Sequence, residues 1–459
     1  MKSPQAAGRR GPRSRAAHGV FGPVRTGREA ALWILVRVEG EGAFANVLLS
    51  RSLPRWGLPR GEAELASELA LGVLRWRARL DWTLEHLLGR PVDRLPLPVR
   101  QALRLGAYQV LFLQRVSPAV AVSSSVELTK RVGHAGTAAL VNAVLRRLVR
   151  EGEAPPPEAD DHALAVRTSH PLWLVRRWVQ RWGLEEASRL CEANNLPPPA
   201  HVRVNTLRAR PEEVVLALQQ AGAQVEPGSL PESLHVHEGL EARLRLEAEG
   251  RISPQDEAAM VVARAVDPQP DELVVDACAA PGGKATHLAA LMGDRGRVVA
   301  CDVSPRKVEA LRRRVERYGA RCVEARVVDA RNLDVRGADR VLVDAPCTGI
   351  GVVRRRPEIR WRVGPQDLVA AAAQQREILA GAARAARPGG VVVYSVCSTE
   401  PEEGEAVVEW LLATGEYAPE PFAVPWRGGQ LWSAADGCLR LFPHRHGTDG
   451  YFVARLRRR

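Results

Sequence analysis

The sequence lacks the long apolar segments of membrane and secreted proteins. No apolar run approaches the roughly 18 to 20 residues that span a bilayer. The N-terminus also lacks the apolar stretch that forms the centre of a secretory signal. We therefore expect a cytoplasmic protein that has no membrane partner.

Cysteines are few and show no framework spacing. The chain has seven of them, an odd number, and no Cys-x-x-Cys. This pattern favours reduced thiols over disulfides. Cys438, His444 and His446 lie close in sequence but lack the spacing of zinc ligands, so we interpret them as ordinary residues of a terminal hairpin. No metal site is expected.

Acidic residues are missing from the first 27 positions. Residues 1–27 carry one lysine and five arginines, interrupted by Gly and Pro. This composition predicts a disordered basic arm, which is either only solvated or in contact with RNA phosphates. Over the whole chain, 65 Lys and Arg against 53 Asp and Glu give a net charge of +12. That balance favours a polyanionic partner, with nucleic acid as the first candidate, over a basic surface that has no partner.

The rest of the chain divides by pattern. Its 459 residues suggest about three domains. Helical stripes such as Leu103, Ala107 and Val110 run through 28–150 and predict an all-α bundle. The stretch 151–161 contains three consecutive prolines and predicts a linker.

Residues 162–250 mix helical patterns with a strand pattern and predict a small α+β domain. The strand is His201–Arg208, in which apolar and polar residues alternate. Its polar face carries Arg203 and Arg208, so we expect this strand to be a candidate RNA-binding edge.

Strand and helix patterns alternate through 251–459. The apolar strands lie at Leu273–Asp276, Val298–Cys301, Ala325–Val328, Val341–Val343 and Val391–Tyr394. Continuous apolar strands separated by helices are typical of a doubly wound parallel sheet. Two further segments, 438–442 and 450–456, predict a closing hairpin.

An acidic residue ends each of the first four strands of this region. These residues are Asp276, Asp302, Asp329 and Asp344. Ligands bind where the carboxyl ends of parallel strands meet. Acids at strand ends can simply cap loops, but the ordered set would repel a phosphate-rich cofactor and suit a cationic one. S-adenosylmethionine carries a sulfonium and an ammonium, and Asp302 and Asp329 would meet its ribose hydroxyls and its adenine amino group.

The loop after the first strand completes the predicted cofactor site. It reads Cys-Ala-Ala-Pro-Gly-Gly-Lys over Cys278–Lys284 and precedes a helix. Its small residues allow the backbone to approach a ligand closely at a helix N-terminus. The loop is not G-x-G-x-x-G, which counts against a dinucleotide cofactor.

Two strands lead into cysteines. Cys347 follows the fourth strand in Asp-Ala-Pro-Cys, and Cys397 follows the fifth. Enzymes that methylate an exocyclic amine usually carry Asn/Asp-Pro-Pro-aromatic after the fourth strand, whereas this chain has a thiol and no aromatic. A thiol suits C5 of a pyrimidine, which becomes nucleophilic when a thiolate adds at C6. Spacing alone leaves open which thiol attacks.

A basic run follows the Pro-Cys loop. It contains Arg354, Arg355, Arg356, Arg360 and Arg362, with Trp361 among them. Such a run is either a solvated face or a grip on RNA phosphates with an aromatic ring that stacks on an extruded base. Its place beside the predicted pocket favours RNA contact.

Four motifs resemble those of the RNA 5-methylcytosine methyltransferases. They are Asp-Ala-Cys-Ala-Ala-Pro-Gly-Gly-Lys at 276–284, Asp-Ala-Pro-Cys at 344–347, Arg-Arg-Pro-Glu-Ile at 355–359 and Tyr-Ser-Val-Cys-Ser at 394–398. Five shorter segments resemble the NusB-type RNA-binding fold. They lie at 28–31, 45–46, 80–81, 103–108 and 142–146. This order resembles the Sun/Fmu (RsmB) branch of the NOL1/NOP2/Sun family, which modifies the 16S ribosomal RNA of the small subunit.

The resemblance implies a role for each site residue. Cys397 would be the nucleophile that adds to cytosine C6, and Cys347 the second thiol that resolves the covalent adduct. Asp344 would hold the cytosine edge, and Lys284 would lie beside the cofactor or the base. The implied contacts of S-adenosylmethionine are Cys278, Ala279, Ala280, Pro281, Gly282, Gly283, Lys284, Asp302, Asp329 and Asp344. One residue departs from the family pattern, because Val396 stands where a threonine usually precedes the nucleophile.

The sequence thus predicts a multidomain protein with an all-α NusB-like bundle, a small α+β RNA-recognition domain and an α/β Rossmann-like class I methyltransferase domain. We expect a monomeric enzyme that acts on ribosomal RNA. The alternative is a catalytically degenerate RNA-binding protein of ribosome assembly or transcription antitermination, against which the intact acids and thiols argue. An NAD-type oxidoreductase is disfavoured by the missing G-x-G-x-x-G and by the paired thiols.

Overall fold

Two compact units make up the chain. The computed structural model describes residues 23–426, 428 and 430–459. The first unit contains the chain up to Asn195 together with Arg356–Trp361. The second contains Leu196–Arg355 and Arg362–Arg459. Most of the predicted basic arm, residues 1–22, lies outside the described residues.

The first unit is helical, as the apolar stripes predicted. Its helices are α1 Gly27–Glu41, α2 Ala45–Trp56, α3 Arg60–Arg75, α4 Arg77–Leu88, α5 Leu97–Phe112, α6 Pro118–Val132, α7 Ala135–Glu151, α8 Asp160–Arg167, α9 Leu172–Trp182 and α10 Leu184–Ala193. The stripe residues Leu103 and Ala107 of α5 are completely buried in the core of α1–α7. The bundle is therefore held by the apolar faces of its helices.

Helix α1 begins one residue before the predicted start of the bundle. The Thr26 side chain accepts a hydrogen bond from the Glu29 backbone N–H, and Glu29 accepts one from the Thr26 backbone in return. This reciprocal cap satisfies donors that the first turn would otherwise leave without partners.

A buried ion-pair network ties α1, α4 and α5 together. Arg104 is 2% exposed and donates to both carboxylate oxygens of Asp81 at 2.7 and 2.8 Å. It also donates to Glu39 at 2.7 Å. Burial raises the pKa of Glu39, but the charges of Arg104, Arg77 and Arg100 outweigh burial and hold that pKa below its ordinary value.

The helices after the predicted linker also belong to the first unit. The Ser169 hydroxyl accepts from the Ala78 backbone N–H of α4 at 2.9 Å, and the Trp82 indole donates to the Pro155 carbonyl at 2.8 Å. The sequence had grouped α8–α10 with the following strand as residues 162–250. These contacts with α4 explain why the helices pack with the bundle, and the proposed domain boundaries remain a prediction.

A small antiparallel sheet opens the second unit. Its strands are β1 His201–Val204, β2 Val225–Pro227, β3 Ser233–Val236 and β4 Ile252–Pro254, in the order β2-β3-β1-β4. Helices α11 Pro211–Gln220 and α12 Leu240–Ala248 join these strands. The strand β1 is shorter than predicted because the Asn205 side chain turns away to donate to the carbonyls of Gly250 and Tyr318, each at 2.8 Å.

The predicted RNA-binding edge on β1 is wrong for Arg203. This guanidinium is completely buried and donates to Gln255 at 2.9 Å and Thr286 at 3.1 Å. The alternation of the strand was correct, but both faces of β1 are covered at this point. Arg208 lies beyond the strand and is exposed.

The larger sheet of the second unit is mixed and has the predicted parallel centre. Its strands are β5 Leu273–Asp276, β6 Arg297–Asp302, β7 Val323–Val327, β8 Ala338–Asp344, β9 Ala386–Val396, β10 Tyr417–Pro419, β13 Cys438–Leu441 and β14 Tyr451–Arg458. The order is β10-β14-β9-β8-β5-β6-β7, with β13 also paired to β14. Strands β5 to β9 are parallel, as predicted, whereas β14 runs antiparallel beside β9.

Helices and a short hairpin surround this sheet. They are α13 Glu257–Val266, α14 Gly283–Leu291, α15 Pro305–Tyr318, α16 Pro365–Ala383, α17 Glu405–Leu412 and α18 Pro443–His446, with strands β11 Phe422–Trp426 and β12 Gln430–Ala434. Strands β13 and β14 form the predicted closing hairpin. Within the described ranges, no helix combines the length and the apolar composition that a bilayer crossing requires.

The ion-pair network of the bundle can be tested with Arg104→Met. The change leaves the partly buried Asp81 and Glu39 without their main partner, so we expect helices α1, α4 and α5 to open more easily by about 3 kcal/mol. Amide hydrogen exchange of the full chain measures the opening free energy. The control is Arg60→Met, which removes an exposed pair with Glu64 and should change it by less than about 0.5 kcal/mol. Equal effects of the two variants would contradict the assignment.

Candidate active site

The acids at the strand ends meet at one edge of the larger sheet. Strands β8, β5 and β6 are neighbours, and they end in Asp344, Asp276 and Asp302. Asp276 is completely buried, and Asp302 is 7% exposed. Parallel pairing therefore brings these three carboxylates to the crevice where such sheets bind ligands.

The loop after β5 approaches this crevice with its backbone. Ala279 donates its N–H to the Cys301 carbonyl at 2.7 Å. Gly282 has a φ of +99°, a conformation that favours glycine, and it lies directly before α14. The loop Cys278–Lys284 thus lies where the sequence predicted, between a strand end and a helix N-terminus.

Asp276 is a buried acid whose charge is not balanced. Neither of its carboxylate oxygens has a hydrogen-bond partner of normal geometry among the residues that the structure describes. Burial, followed by the nearby Asp344, raises the pKa of Asp276 to about 7, although Lys284 opposes the shift. A cationic ligand in this crevice would supply the missing partner, which fits the sulfonium and ammonium of S-adenosylmethionine.

The two remaining predicted cofactor acids have partners of their own. Asp302 accepts from the Ser304 backbone N–H at 2.9 Å and keeps its second oxygen 3.7 Å from the Lys307 ammonium. Asp329 forms a bidentate pair with Arg331, which lowers the pKa of that acid. Asp329 also accepts from the Arg331 backbone N–H at 3.0 Å. The capping role that acids can play at strand ends is thus seen at Asp329.

Lys284 and Asp344 form a partly buried ion pair. The Lys284 ammonium is 2.8 Å from one Asp344 oxygen, and the Ser395 hydroxyl donates to the other at 2.8 Å. Burial acts to lower the pKa of Lys284, but the Asp344 carboxylate outweighs burial and raises it. The ammonium also lies 5.4 Å from the centre of the Tyr451 ring. Lys284 is therefore held as a cation beside Asp344 and close to the Cys397 thiol.

The two predicted thiols meet. The Cys347 and Cys397 sulfur atoms are 3.2 Å apart, and both residues are free thiols. The register of β8 and β9 pairs Asp344 with Ser395, which brings the two following loops side by side. The hydrogen bond to Cys397, then burial and nearby charge, raise the pKa of Cys347 well above its ordinary value.

A glutamate that the sequence reasoning missed joins the two thiol loops. Glu403 is completely buried and accepts hydrogen bonds from the Thr348 backbone and hydroxyl at 2.8 and 2.5 Å. It also accepts from the Ser398 hydroxyl at 2.6 Å and from Gln375 at 3.0 Å. In the sequence Glu403 belongs to an acidic run after Cys397, which has the composition of a solvated loop.

The start of β14 packs against the same loops. Gly351 donates to the Cys397 carbonyl at 3.0 Å, and Gly450 donates to the Gly351 carbonyl at 2.8 Å. A Cβ atom on Gly351 would lie 2.0 Å from the Gly450 oxygen, so only glycine fits there. This close approach explains why the glycine-rich loop after Cys347 is required.

The prediction that the basic run contacts RNA is wrong for most of its side chains. Arg354 donates to the carbonyls of Leu196 and Pro197, the latter at 2.6 Å. Arg355 pairs with Asp256 and Asp449, each at 2.6 Å. The run is structural here because backbone carbonyls and buried acids take up its donors.

The same holds for Arg360 and Trp361, which belong to the first unit. Arg360 is 1% exposed and donates to the Ser169 carbonyl at 3.0 Å and to Asn195 at 2.9 Å. The Trp361 indole donates to the Leu74 carbonyl at 2.6 Å, so this ring is anchored in the bundle. Arg356 is exposed.

A Rossmann-like sheet with acids at consecutive strand ends and a buried, unbalanced carboxylate defines an S-adenosylmethionine-dependent methyltransferase. Family models match along the chain: NusB family at residues 25–150, the ferredoxin-like domain of RsmF/B-like methyltransferases at 170–243, and 16S rRNA methyltransferase RsmB/F at 263–457. The chain belongs to the RsmB/Sun family of ribosomal RNA methyltransferases.

Individual relatives agree over nearly the whole chain. The probable ribosomal RNA small subunit methyltransferase B of Bacillus subtilis is 35% identical over 443 residues, which covers 94% of this chain and 98% of the relative. Ribosomal RNA small subunit methyltransferase B of Thermus thermophilus is 36% identical over 437 residues, with 95% and 99% covered. The crystal structure of PH0851 matches with a TM-score of 0.79 at 28% identity and covers 94% of this chain and 99% of its own.

The pKa of Asp276 gives the cofactor-free protein a defined pH dependence. The folded state holds a proton up to about pH 7, whereas an ordinary aspartate releases it near 3.8, so stability falls as the pH rises between these values. Asp276→Asn removes this dependence. We expect the stability of the variant relative to wild type to rise by about 2 to 4 kcal/mol between pH 4.5 and pH 8.

Urea unfolding at the two pH values measures this difference. The matched control is Asp334→Asn, because the Asp334 side chain is 72% exposed, and its relative stability should not change with pH. A constant difference between Asp276→Asn and wild type at both pH values would show that Asp276 is ionised throughout.

Proposed function

We propose that this protein methylates C5 of a cytosine in 16S ribosomal RNA through a covalent adduct at C6. The observation that carries the proposal is the 3.2 Å contact between the Cys347 and Cys397 sulfur atoms beside the Lys284–Asp344 pair. Methyl transfer to an exocyclic amine or a ribose hydroxyl has no use for two thiols. A pyrimidine C5 needs one thiol to add at C6 and benefits from a second when the adduct breaks down.

Cys397 is the nucleophile in this proposal. Its sulfur forms a bond to C6, and its proton passes to solvent. Cys347 keeps its own proton, because its pKa is raised by the hydrogen bond to Cys397, and it donates that proton to the Cys397 sulfur. Such a donor stabilises the attacking thiolate, and the assignment of the attack to Cys397 rests on the resemblance to the RNA 5-methylcytosine methyltransferases.

S-adenosylmethionine, when bound, supplies an electrophilic methyl group on its sulfonium. The residues proposed to hold it are the Cys278–Lys284 loop with Asp276, Asp302, Asp329 and Asp344. Asp344 holds the cytosine edge, and its orientation is fixed by Lys284 and Ser395. Lys284 pairs with this carboxylate at 2.8 Å.

Release of the product breaks the bond between the Cys397 sulfur and C6. Cys347 passes its proton to the departing Cys397 sulfur and takes the proton from C5 in exchange. The C5–C6 double bond re-forms, and both thiols return to their starting state. Neither step involves the residue before Cys397, so Val396 in place of the usual threonine is compatible with this chemistry.

The remaining domains are proposed to bind the RNA. We propose a NusB-like RNA-binding domain at 28–150, a linker at 151–161, a small RNA-recognition domain at 162–250 and the methyltransferase domain at 251–459. The net charge of +12 and the match to the NusB family support an RNA partner. We also propose that the enzyme acts as a monomer and in the cytoplasm, where ribosomal RNA is modified.

The two thiols have separate predicted phenotypes. Cys397→Ala should lose methyl transfer by at least about 1000-fold, because no thiolate adds at C6. Cys347→Ala should accumulate a covalent RNA–protein adduct that survives a denaturing gel. The assay uses 16S RNA, both free and in 30S particles, and mass spectrometry maps 5-methylcytosine in the product.

The matched control is Cys322→Ala, a thiol that directly precedes β7. It should methylate RNA like the wild type and leave no adduct. Full activity of Cys397→Ala, or a Cys347→Ala variant that turns over without an adduct, would contradict the proposed mechanism. Methylation of a base other than a 16S cytosine would contradict the proposed target while leaving the thiol roles intact.

A further inference from the structure

Glu403 contacts both thiol loops at the residues that directly follow the cysteines. Thr348 follows Cys347, and Ser398 follows Cys397. One Glu403 oxygen accepts from the Thr348 backbone and from Gln375, and the other accepts from the hydroxyls of Thr348 and Ser398. A single carboxylate thus sets the distance between two loops that are fifty residues apart in sequence.

Glu403 is itself held rigidly. Its carbonyl accepts a hydrogen bond from the Tyr394 hydroxyl on β9 at 2.6 Å, and its backbone N–H donates to the Glu400 carbonyl at 3.1 Å. Gln375 links it further to the loop, because the same amide donates to the Pro346 carbonyl at 3.0 Å. The hydrogen-bond donors around the carboxylate are all neutral, so its negative charge also acts on the thiols nearby.

We propose that Glu403 is the positioning residue that keeps the two thiols in contact through both adduct formation and adduct release. The inference rests on the proposed function. Because each loop is fixed to the same carboxylate, a shift of either loop would separate the sulfur atoms. The charge of Glu403 also raises the pKa of Cys347, which favours the protonated form that stabilises the Cys397 thiolate.

Four variants test this role. Glu403→Ala removes the acceptor of both loops, so we expect adduct formation and adduct release to slow by at least about 10-fold each, with unchanged affinity for S-adenosylmethionine in calorimetry. Ser398→Ala loosens only the Cys397 loop and should slow formation more than release. Thr348→Val loosens only the Cys347 loop and should slow release more than formation. The exposed Glu409→Ala is the control and should behave like wild type.

Glu403→Gln separates charge from geometry. The two hydroxyls can rotate and accept from the new amide, so the loops stay in place and the variant folds. Without the negative charge, Cys347 loses its proton at lower pH. The alkaline limb of the pH–rate profile of adduct release should therefore move to lower pH by about half a unit or more. A merely structural glutamate would leave that limb unchanged, which would overturn the inference.

The outcomes distinguish this inference from the proposed function. A wild-type protein that forms no adduct with 16S RNA would overturn the proposed function. A wild-type protein that forms and releases the adduct, while Glu403→Ala does so within twofold, would overturn the role of Glu403 alone. If Glu403→Ala fails to fold, the pH limb of Glu403→Gln decides.

A second, independent observation lies on the small sheet. The antiparallel register pairs Glu226 of β2 with His235 of β3, and His237 is two residues further on the same face. The ring centres of His235 and His237 are 3.9 Å apart, and the His237 Nε2 atom is 3.3 Å from Glu226. Potential ligand atoms of the three residues all lie within 4.8 Å of one another.

A third imidazole extends this cluster. His201 of β1 is paired with His235 from the other side, with ring centres 5.1 Å apart. A neutral imidazole ring can donate a lone pair to a metal. Imidazole and carboxylate are ligands that zinc and related divalent ions prefer.

We infer that Glu226, His235 and His237 form a site for a divalent transition metal such as Zn²⁺. Ligand atoms around tetrahedral zinc are about 3.4 Å apart. Small rotations of the three side chains would bring their ligand atoms to this spacing when the metal ion binds. The ion would link β2 to β3 at the edge of the small sheet. This site is separate from the thiols and does not depend on the proposed function.

Titration of the full chain with Co²⁺ tests the site. The Cys347→Ala/Cys397→Ala variant is used, because thiols also bind such ions. We expect one ion with a Kd below about 10 μM, the visible absorption of a tetrahedral site and no thiolate charge-transfer band. His235→Ala and His237→Ala should each weaken binding at least 10-fold, and the exposed His86→Ala should not. Binding weaker than about 1 mM, or equal binding by His235→Ala, would overturn the assignment.

Discussion

The pairing of β8 with β9 is the contact on which the site depends. These strands are parallel neighbours, and their register places Asp344 opposite Ser395. The same register brings together the loops that carry Cys347 and Cys397, whose sulfur atoms are 3.2 Å apart. A shift of either strand by one residue would turn the side chains of that strand to the other face of the sheet.

The strand β14 supports that contact from its far side. It pairs antiparallel with β9, and its first residues bring Gly450 against Gly351. The loop after Cys347 is thereby held between β14 and the end of β9. The extra antiparallel strand therefore restrains the sheet edge that carries the two cysteines more than the parallel centre alone would.

Charge is distributed unevenly around the pocket. Lys284 is paired with Asp344. Asp276 and Glu403 are buried acids, and neither forms an ion pair of its own among the described residues. Such burial is unfavourable unless hydrogen bonds or a ligand compensate it. Glu403 is compensated by its donors, and Asp276 fits a cationic cofactor. The arginines, in contrast, contribute less to the surface than the net charge suggests, since Arg104, Arg203 and Arg360 are buried.

Local sequence determined much of this protein. Apolar periodicity located the helices of the bundle and the parallel strands. The cysteines at the strand ends predicted the thiol pair, and the acids and glycines there predict a cofactor crevice, because the ends of parallel strands meet at one sheet edge. Only the tertiary structure decided which charged side chains are buried. Arg203 and Arg360 were predicted from the sequence to contact RNA, and Glu403 was not singled out, because most of the partners of these side chains are far away in the chain. A charge pattern carries no information about such long-range contacts, whereas an apolar period does carry information about the face that must be buried.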